Sequence, residues 1–334
     1  MGILGLCAAG MAAFFAYLIW ANSAIVITKY MVSLEKKEKL QGKLRIVQVS
    51  DLQSAHFGRE QYRLLEKVKE ANPDVIVFTG DLPDRTHTDY TACLTAMTGL
   101  MKVAPVYYTN GNHELALPQS EIRQMYRELS DMGVELLFDR GIFVGQKGMP
   151  FLLAGLSEET LYEAKTGARP DNPDFEKDRN LGRGRISDTD IDPEVIRKSM
   201  EISLKMAERE FVGQRKSAGE LREIRTKAAG ADDCEPVLKI LLVHEPQFLE
   251  TYAEGKFDLI FAGHAHGGQI RLPFTQGLFA PGQGVLPKLT SGIHKRGHSV
   301  MVISRGLGNS TFPLRVFNRP ELVVVELCGN SKMD

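Results

Sequence analysis

The stretch Leu259-Ile260-Phe261-Ala262-Gly263-His264-Ala265-His266-Gly267-Gly268 decides how this chain is read. An apolar run of strand length ends at a glycine, and two imidazoles follow, two residues apart. Side chains two apart on extended backbone lie on one side, so His264 and His266 can serve one cation together or two adjacent cations singly. The glycines on either side let the backbone approach a bound ion and adopt positive φ.

The same unit recurs along the chain. Ile46-Val47-Gln48-Val49 runs into Asp51-Leu52-Gln53, and Val75-Ile76-Val77-Phe78 into Gly80-Asp81. Val106-Tyr107-Tyr108 precedes Gly111-Asn112-His113-Glu114, and Ile240-Leu241-Leu242-Val243 meets His244. Short β-branched runs alternating with helical stretches predict an α/β fold, in which strand ends on one sheet edge share a ligand crevice. Taken singly, each cluster has a bland reading. A strand-terminal Asp is often a turn or cap, and a lone histidine such as His244 is more often structural than metal-bound. Five clusters, each directly after a buried-type strand, are not explained as independent turns. Asp, Asn and His together offer hard oxygens and imidazole nitrogens, a set suited to Mn, Fe or Zn rather than to a calcium cage or a thiolate zinc site.

Between the first two runs, Leu64, Leu65, Val68 and Ala71 fall at helical spacing, and Ser120 is the predicted N-cap of a helix carrying Ile122, Met125 and Leu129. Ile25-Val26-Ile27-Thr28 is a candidate first strand. Residues 157–235 are rich in charge, Gly, Asn and Asp, and read as an insertion or lid. Within them Asp192 and Pro193 open a helix whose stripe of Ile196, Met200, Leu204, Ala207 and Phe211 predicts a surface helix packed on the domain.

Ile3 to Ala21 is uninterrupted apolar and small, and the first charged side chain is Lys29. About 20 such residues cross a hydrocarbon core of about 30 Å. No Lys or Arg precedes the run, as is usual in a cleaved signal, so residues 1–23 read as a single-pass membrane anchor and 24–334 as the working domain. Lys29, Lys36, Lys37 and Lys39 follow the span and lean the domain to the cytoplasmic face. Because Lys29 borders a strand-like segment, the face is left open.

The 334 residues include 41 Lys and Arg against 42 Asp and Glu, a net charge of −1. No basic stripe marks a polynucleotide groove, so no nucleic-acid partner is expected. Cys7, Cys93, Cys234 and Cys328 are widely spaced without a C-x-x-C pair, and leave redox compartment and oligomeric state open.

The ordered set of clusters resembles the calcineurin-like metallophosphoesterases, whose pattern runs D-x-H, G-D, G-N-H-[DE], a single H and G-H-x-H. The resemblance covers about Ile25 to Leu327, apart from the long segment before His244. Gly263 to Gln269 with Arg271-Leu272-Pro273, Ser304-Arg305-Gly306-Leu307-Gly308 and Phe317-Asn318-Arg319-Pro320-Glu321 are similar to its YkuE/YaeI-like branch, related to UDP-2,3-diacylglucosamine pyrophosphatases. The resemblance implies a four-layer α/β/β/α sandwich with two divalent metal ions, Mn, Fe or Zn with Mn favoured. Carried over by position, Asp51, Gln53, Asp81 and His266 would hold the first metal. Asp81 would bridge to a second metal completed by Asn112, His244 and His264. His113 would stand beside the substrate, and Asp81 and His113 would be the catalytic pair around a hydroxide shared by the metals. Arg271 and Arg305 are candidate phosphate contacts. Gln53 departs from the pattern, which has histidine there, and His56 three residues on reads as a loop or substrate-side residue.

The implied activity is hydrolysis of a phosphodiester or pyrophosphate bond, with a phosphorylated or lipid-linked diphosphate substrate at the membrane. One rival is a nuclease of the same superfamily, which the charge balance disfavours. Another is a non-catalytic membrane protein that keeps the fold to bind a ligand, which Gln53 alone favours.

Overall fold

A computed structural model describes residues 2–32, 43–146, 149–170, 191–222, 238–272, 276–309, 312 and 314–328. Fourteen strands are described: β1 (Val26–Val32), β2 (Lys43–Val49), β3 (Val75–Thr79), β4 (Val106–Thr109), β5 (Glu135–Leu136), β6 (Arg140–Gln146), β7 (Met149–Gly155), β8 (Leu238–Leu242), β9 (Leu259–Ala262), β10 (Phe279–Ala280), β11 (Gly284–Val285), β12 (Gly292–Arg296), β13 (Ser299–Ile303) and β14 (Glu321–Cys328). Eight helices accompany them: α1 (Ile3–Ser23), α2 (Tyr62–Ala71), α3 (Tyr90–Met101), α4 (Asn112–Leu115), α5 (Gln119–Asp131), α6 (Glu158–Thr166), α7 (Pro193–Arg222) and α8 (Leu249–Glu254).

The strands form two six-stranded sheets ordered β1-β14-β2-β3-β4-β5 and β12-β13-β9-β8-β7-β6, with β10 and β11 as a separate hairpin. The middle of each sheet is parallel: β2, β3 and β4 in one, β7, β8 and β9 in the other. Alternation along the strands sorts their side chains between two cores. Ile46, Val75, Val77, Ile240, Leu242, Leu259 and Phe261 meet between the sheets. Val47, Ile76 and Phe78 face outward onto Leu64, Val68, Met97, Ile122 and Leu129 of α2, α3 and α5. Leu241 and Ile260 face outward onto Leu161, Ile196, Met200 and Tyr252 of α6, α7 and α8. Burial on both faces explains why these strands read as continuous apolar runs. The order helix, sheet, sheet, helix is the expected four-layer sandwich.

The five expected strands and the candidate first strand are all present, the last as β1 paired in parallel with β14. The predicted stripe of α7 is its packing face, with Ile196, Met200, Ala207 and Phe211 buried and Leu204 packed against them. Asp192 accepts a hydrogen bond from the Glu194 N–H at 2.9 Å. The described parts of the 157–235 segment therefore build the outer helical layer of the second sheet, and 171–190 and 223–235 lie outside the described residues. One sequence reading is corrected. Ser120 does not cap its helix: α5 begins at Gln119, behind Pro118, whose carbonyl accepts the N–H groups of Glu121 and Ile122. The proline ring holds φ at the turn, and its missing N–H costs nothing there.

Among the described residues α1 is the one helix long and apolar enough to cross a membrane. Lys36, Lys37 and Lys39, on which the choice of face turned, lie outside the described residues.

Candidate metal centre

β2, β3, β4, β8 and β9 end at one edge of the sandwich, and the side chains just beyond them converge. Five of these residues have left-handed backbone: Asp51 (φ 51), Gln53 (φ 48), Asp81 (φ 55), His264 (φ 66) and His266 (φ 46). Non-glycine residues there carry strain of order 1–3 kcal/mol each, tolerated where surrounding structure over-determines the site. Gly80 shows why that edge needs glycine. It has φ 84, and a Cβ there would lie 2.5 Å from the His244 ring and 2.8 Å from the Gly111 backbone.

The first constellation is built around His244. Its Nδ1 lies 2.8 Å from the Thr79 carbonyl and so carries the proton, which turns Nε2 inward. Nε2 lies 3.1 Å from Asn112 Oδ1, 3.1 Å from His264 Nδ1 and 3.4 Å from Asp81 Oδ1. Two oxygens and two imidazole nitrogens thus face a common point. The second constellation shares Asp81. Asp51 Oδ1 lies 3.4 Å from His266 Nε2, and the coordinating atoms of Asp51, Asp81 and His266 all lie within 4.8 Å of one another, as do those of Asp81, His244 and His264. Every one of these Asp and His groups is buried.

Gln53 enters the second constellation. Its Nε2 lies 3.1 Å from both Asp81 Oδ2 and His266 Nε2, while its buried Oε1 has no hydrogen-bond partner. Rotating the amide by half a turn exchanges the two atoms and turns an oxygen donor toward the same carboxylate and imidazole. The orphaned oxygen and the mixed oxygen and nitrogen set fit divalent transition metals.

The buried carboxylates and imidazoles shift one another: burial would lower His244, but the Asp81 carboxylate outweighs it and raises His244 well above its usual range. Burial pushes the Asp51 carboxyl up to about 6, and the Asp81 carboxylate adds to the rise. Burial would raise Asp81 too, but the His113 and His244 imidazoles outweigh it and hold it well below the carboxylate range. Burial lowers His264 to about 3 and takes His266 well below its usual range, so both are neutral, the ligating form.

His113 stands beside these groups. The Arg85 N–H donates to its Nδ1 at 3.2 Å, which leaves the proton of the neutral ring on Nε2, 3.8 Å from Asp81 Oδ2. Burial lowers the pKa of this ring and keeps it neutral.

Sequence reasoning missed several supports. Glu114, quoted only as part of its motif, accepts the backbone N–H groups of Asp81 (3.1 Å), Leu82 (2.8 Å) and Gly111 (3.0 Å), and the Tyr108 hydroxyl. It thereby ties the β3 and β4 ends together. Lys165 from α6 pairs with Glu245, next to His244, at 2.7 Å, and both are nearly buried. Burial would raise Glu245, but the Lys165 charge outweighs it and holds it down to about 2. Arg315 is fully buried, donates to the Gly308 carbonyl and lies 3.4 Å from His266 Nδ1. Asn318 donates to the carbonyls of His266 and Gln269 at 2.7 and 3.1 Å, bracing the turn. Nothing local marks Arg315 or Lys165 in sequence, since each meets its partners through tertiary packing.

Three other singled-out residues have protein partners. His56 is exposed and bonds Asp89 at 2.9 Å, away from the ligand set. Arg305 forms an ion pair with the buried Glu321 at 2.9 Å. Arg271 donates to the Ser291 hydroxyl at 2.7 Å and the Gly267 carbonyl at 3.3 Å.

Comparison with known proteins gives the family of the chain. The family model described as calcineurin-like phosphoesterase matches residues 44–268. The uncharacterized metallophosphoesterase YkuE of Bacillus subtilis is 25% identical over 287 residues, 85% of this chain and 78% of that protein. The UDP-2,3-diacylglucosamine pyrophosphatase LpxG of Chlamydia trachomatis is 22% identical over 275 residues, 77% of this chain and 74% of that protein. The solved structure of TT1561 from Thermus thermophilus aligns over 80% of this chain and 91% of that one, with 12% identity and a TM-score of 0.42. With its family model spanning strands β2 to β9 and both Asp/His constellations, the chain belongs to the calcineurin-like phosphoesterases, metal-dependent hydrolases of phosphoric ester bonds.

Proposed function

We propose that this protein is a membrane-anchored phosphoesterase that cleaves a phosphodiester or pyrophosphate bond, with a lipid-linked phosphate compound as its substrate. The observation that carries the reading is the shared carboxylate: Asp81 belongs to both buried constellations, Asp81–His244–His264 and Asp51–Asp81–His266. Asp51, Gln53, Asp81 and His266 would hold one divalent cation, and Asp81, Asn112, His244 and His264 the other. The chemistry that bound divalent cations bring to such a site is Lewis-acid polarisation of phosphoryl oxygens and a lowered pKa for water.

The protein's own contribution is orientation. The Thr79 carbonyl holds the His244 ring in one tautomer, and Glu114 fixes the backbone under Asp81. His113 presents its Nε2 proton beside Asp81, where it would donate a hydrogen bond to the oxygen on which negative charge develops. Of the two arginines, Arg271 is the better phosphate contact. Its hydrogen-bond partners named above are neutral, whereas Arg305 already neutralises Glu321.

The anchor reading is supported by α1, and the lipid-linked substrate by that helix together with the likeness to a UDP-2,3-diacylglucosamine pyrophosphatase. The test is purified full-length protein in detergent, stripped of metal and reloaded with Mn, Fe or Zn, and offered bis-p-nitrophenyl phosphate or a lipid-linked nucleoside diphosphate. Metal-dependent hydrolysis, faster on the lipid-linked compound, is expected. Stoichiometric metal with no turnover of either compound would return the protein to the ligand-binding class.

A further inference from the structure

Exposed apolar side chains gather on the segments that brace the metal centre. Leu272, Phe279, Val285, Leu286, Leu314 and Phe317 are between 37% and 76% exposed. They lie on two adjoining pieces of chain. The first leads from Ile270 into the β10–β11 hairpin, where the Leu278 N–H reaches the carbonyls of Gly268 (3.1 Å) and Ile270 (2.9 Å), and the Leu286 N–H that of Leu278 (3.0 Å). The second is 314–318. It bridges Ile270 through Val316, accepts the Arg271 N–H at 3.0 Å, and holds the His266 turn through Asn318. Single exposed apolar residues are ordinary, but six on two joined segments make a patch.

The same second segment seats the end of α1. The Tyr17 and Phe317 ring centroids are 5.7 Å apart, and the Arg319 guanidinium lies 4.6 Å from the Trp20 ring centroid. The Asn22 amide accepts the Arg315 N–H at 2.9 Å and donates to its carbonyl at 3.3 Å. Leu18 and Ala21 are buried in this junction, while Leu6, Met11, Phe14, Phe15 and Ile19 stay exposed along the helix. Its apolar surface therefore runs on into Phe317 and, through the Ile270–Val316 bridge, into the hairpin. Tyr17 and Trp20 near the end of an apolar span mark the head-group level of a bilayer, with Arg319 beside them. That level coincides with Phe317.

We propose that the β10–β11 hairpin and the 314–317 segment form a lipid-facing rim that rests in the interfacial layer of the bilayer crossed by α1, so that the metal centre meets phosphate groups at the membrane surface. The inference rests on the anchored reading above. A bilayer is the fitting occupant because the patch continues the surface of the helix, which a protein partner would have to share with lipid.

The test places the full chain in vesicles of phosphatidylcholine brominated near the head-group end of the acyl chains and reads tryptophan emission. Trp20 is the single native tryptophan and gives the baseline. Val285→Trp and Leu286→Trp add a reporter on the rim, and Tyr62→Trp adds one on α2, at a side chain 63% exposed on the helical layer of the first sheet. The brominated lipid is expected to quench Trp20 and at least half of the emission added at 285 or 286, and to leave that added at 62 intact. Quenching at Trp20 with rim emission as bright as at position 62 would overturn the rim while sparing the anchor. An unquenched Trp20 would overturn both. No turnover is read, so a failure of the phosphoesterase assignment shows only in the hydrolysis assay.

Discussion

The two sheet edges that meet at the metal centre carry different chemistry. The ends of β2, β3 and β4 bring Asp51, Gln53, Asp81 and Asn112, all oxygen donors, whereas the ends of β8 and β9 bring His244, His264 and His266, all nitrogen donors. Neither edge is a site alone. The oxygen edge concentrates the buried carboxylates Asp51 and Asp81, and the nitrogen edge offers imidazole rings without a bridging group. The supports differ in kind as well. Backbone N–H groups converging on Glu114 hold the oxygen edge, and the Lys165–Glu245 ion pair, reaching from α6, holds the nitrogen edge. A centre divided this way is assembled only when the sheets pack face to face, which links metal affinity to folding of the whole sandwich.

The sharpest way to break the comparison is Asp81→Asn, which removes the one charge that both constellations share. Metal-dependent hydrolysis of bis-p-nitrophenyl phosphate is expected to fall to background and bound metal to near zero, while the circular dichroism of the folded domain persists. His264→Ala should differ by keeping metal in the Asp51–His266 constellation, read by elemental analysis. Equal metal in the two variants would contradict a bridging role for Asp81.

The support of the nitrogen edge is tested by Lys165→Met, which leaves Glu245 buried and uncompensated. Removing one partner of a buried pair costs about 3–5 kcal/mol, measurable as a lower urea midpoint. Adding Glu245→Leu should recover most of that loss, because the pair rather than either residue is required. A Lys165→Met protein as stable as the parent would mean that the ion pair does not brace His244.

A smaller effect on turnover is expected from His113→Ala, since His113 sits beside the shared carboxylate without belonging to either constellation. Bound metal should be unchanged and turnover should fall about 100- to 1,000-fold, the cost of losing one oriented donor to the transition state. The loss should be steepest for substrates with poor leaving groups. Loss of metal in parallel with activity would move His113 into the ligand set.

The smallest shift sharpens the comparison by placing a nitrogen on the oxygen edge. An amide oxygen gives up less electron density than an imidazole, so the Asp51–Gln53–Asp81–His266 cation should be the weaker bound of the two. Gln53→His is expected to lower the Mn concentration for half-activation of chelator-stripped protein by about 10-fold. An unchanged midpoint would show that residue 53 does not reach the metal.

Much of this arrangement was legible beforehand, because strand periodicity and the residue after each strand are local properties. The five runs, the helical faces of α2 and α7 and the apolar α1 all follow from the spacing of apolar side chains over a few residues. Ser120 misled because a serine just ahead of an apolar-periodic stretch is a common cap, and Pro118 outcompeted it for the turn. Arg315 was invisible because a buried arginine looks like any surface arginine until its partners, Gly308 and His266, are brought around it.

The sequence by itself determined which donors the protein owns and that they stand at strand ends: carboxylates and amides in the first half, imidazoles in the second. Tertiary structure alone decided which of them meet. That Asp81 lies in both constellations, and that His264 turns Nδ1 while His244 and His266 turn Nε2 toward the shared space, follow from the packing of the two sheets. Gln53 and His266, 213 positions apart, lie 3.1 Å from each other. Local spacing decides what a strand can present, but only the close packing of one sheet on the other places two such presentations within reach of one cation.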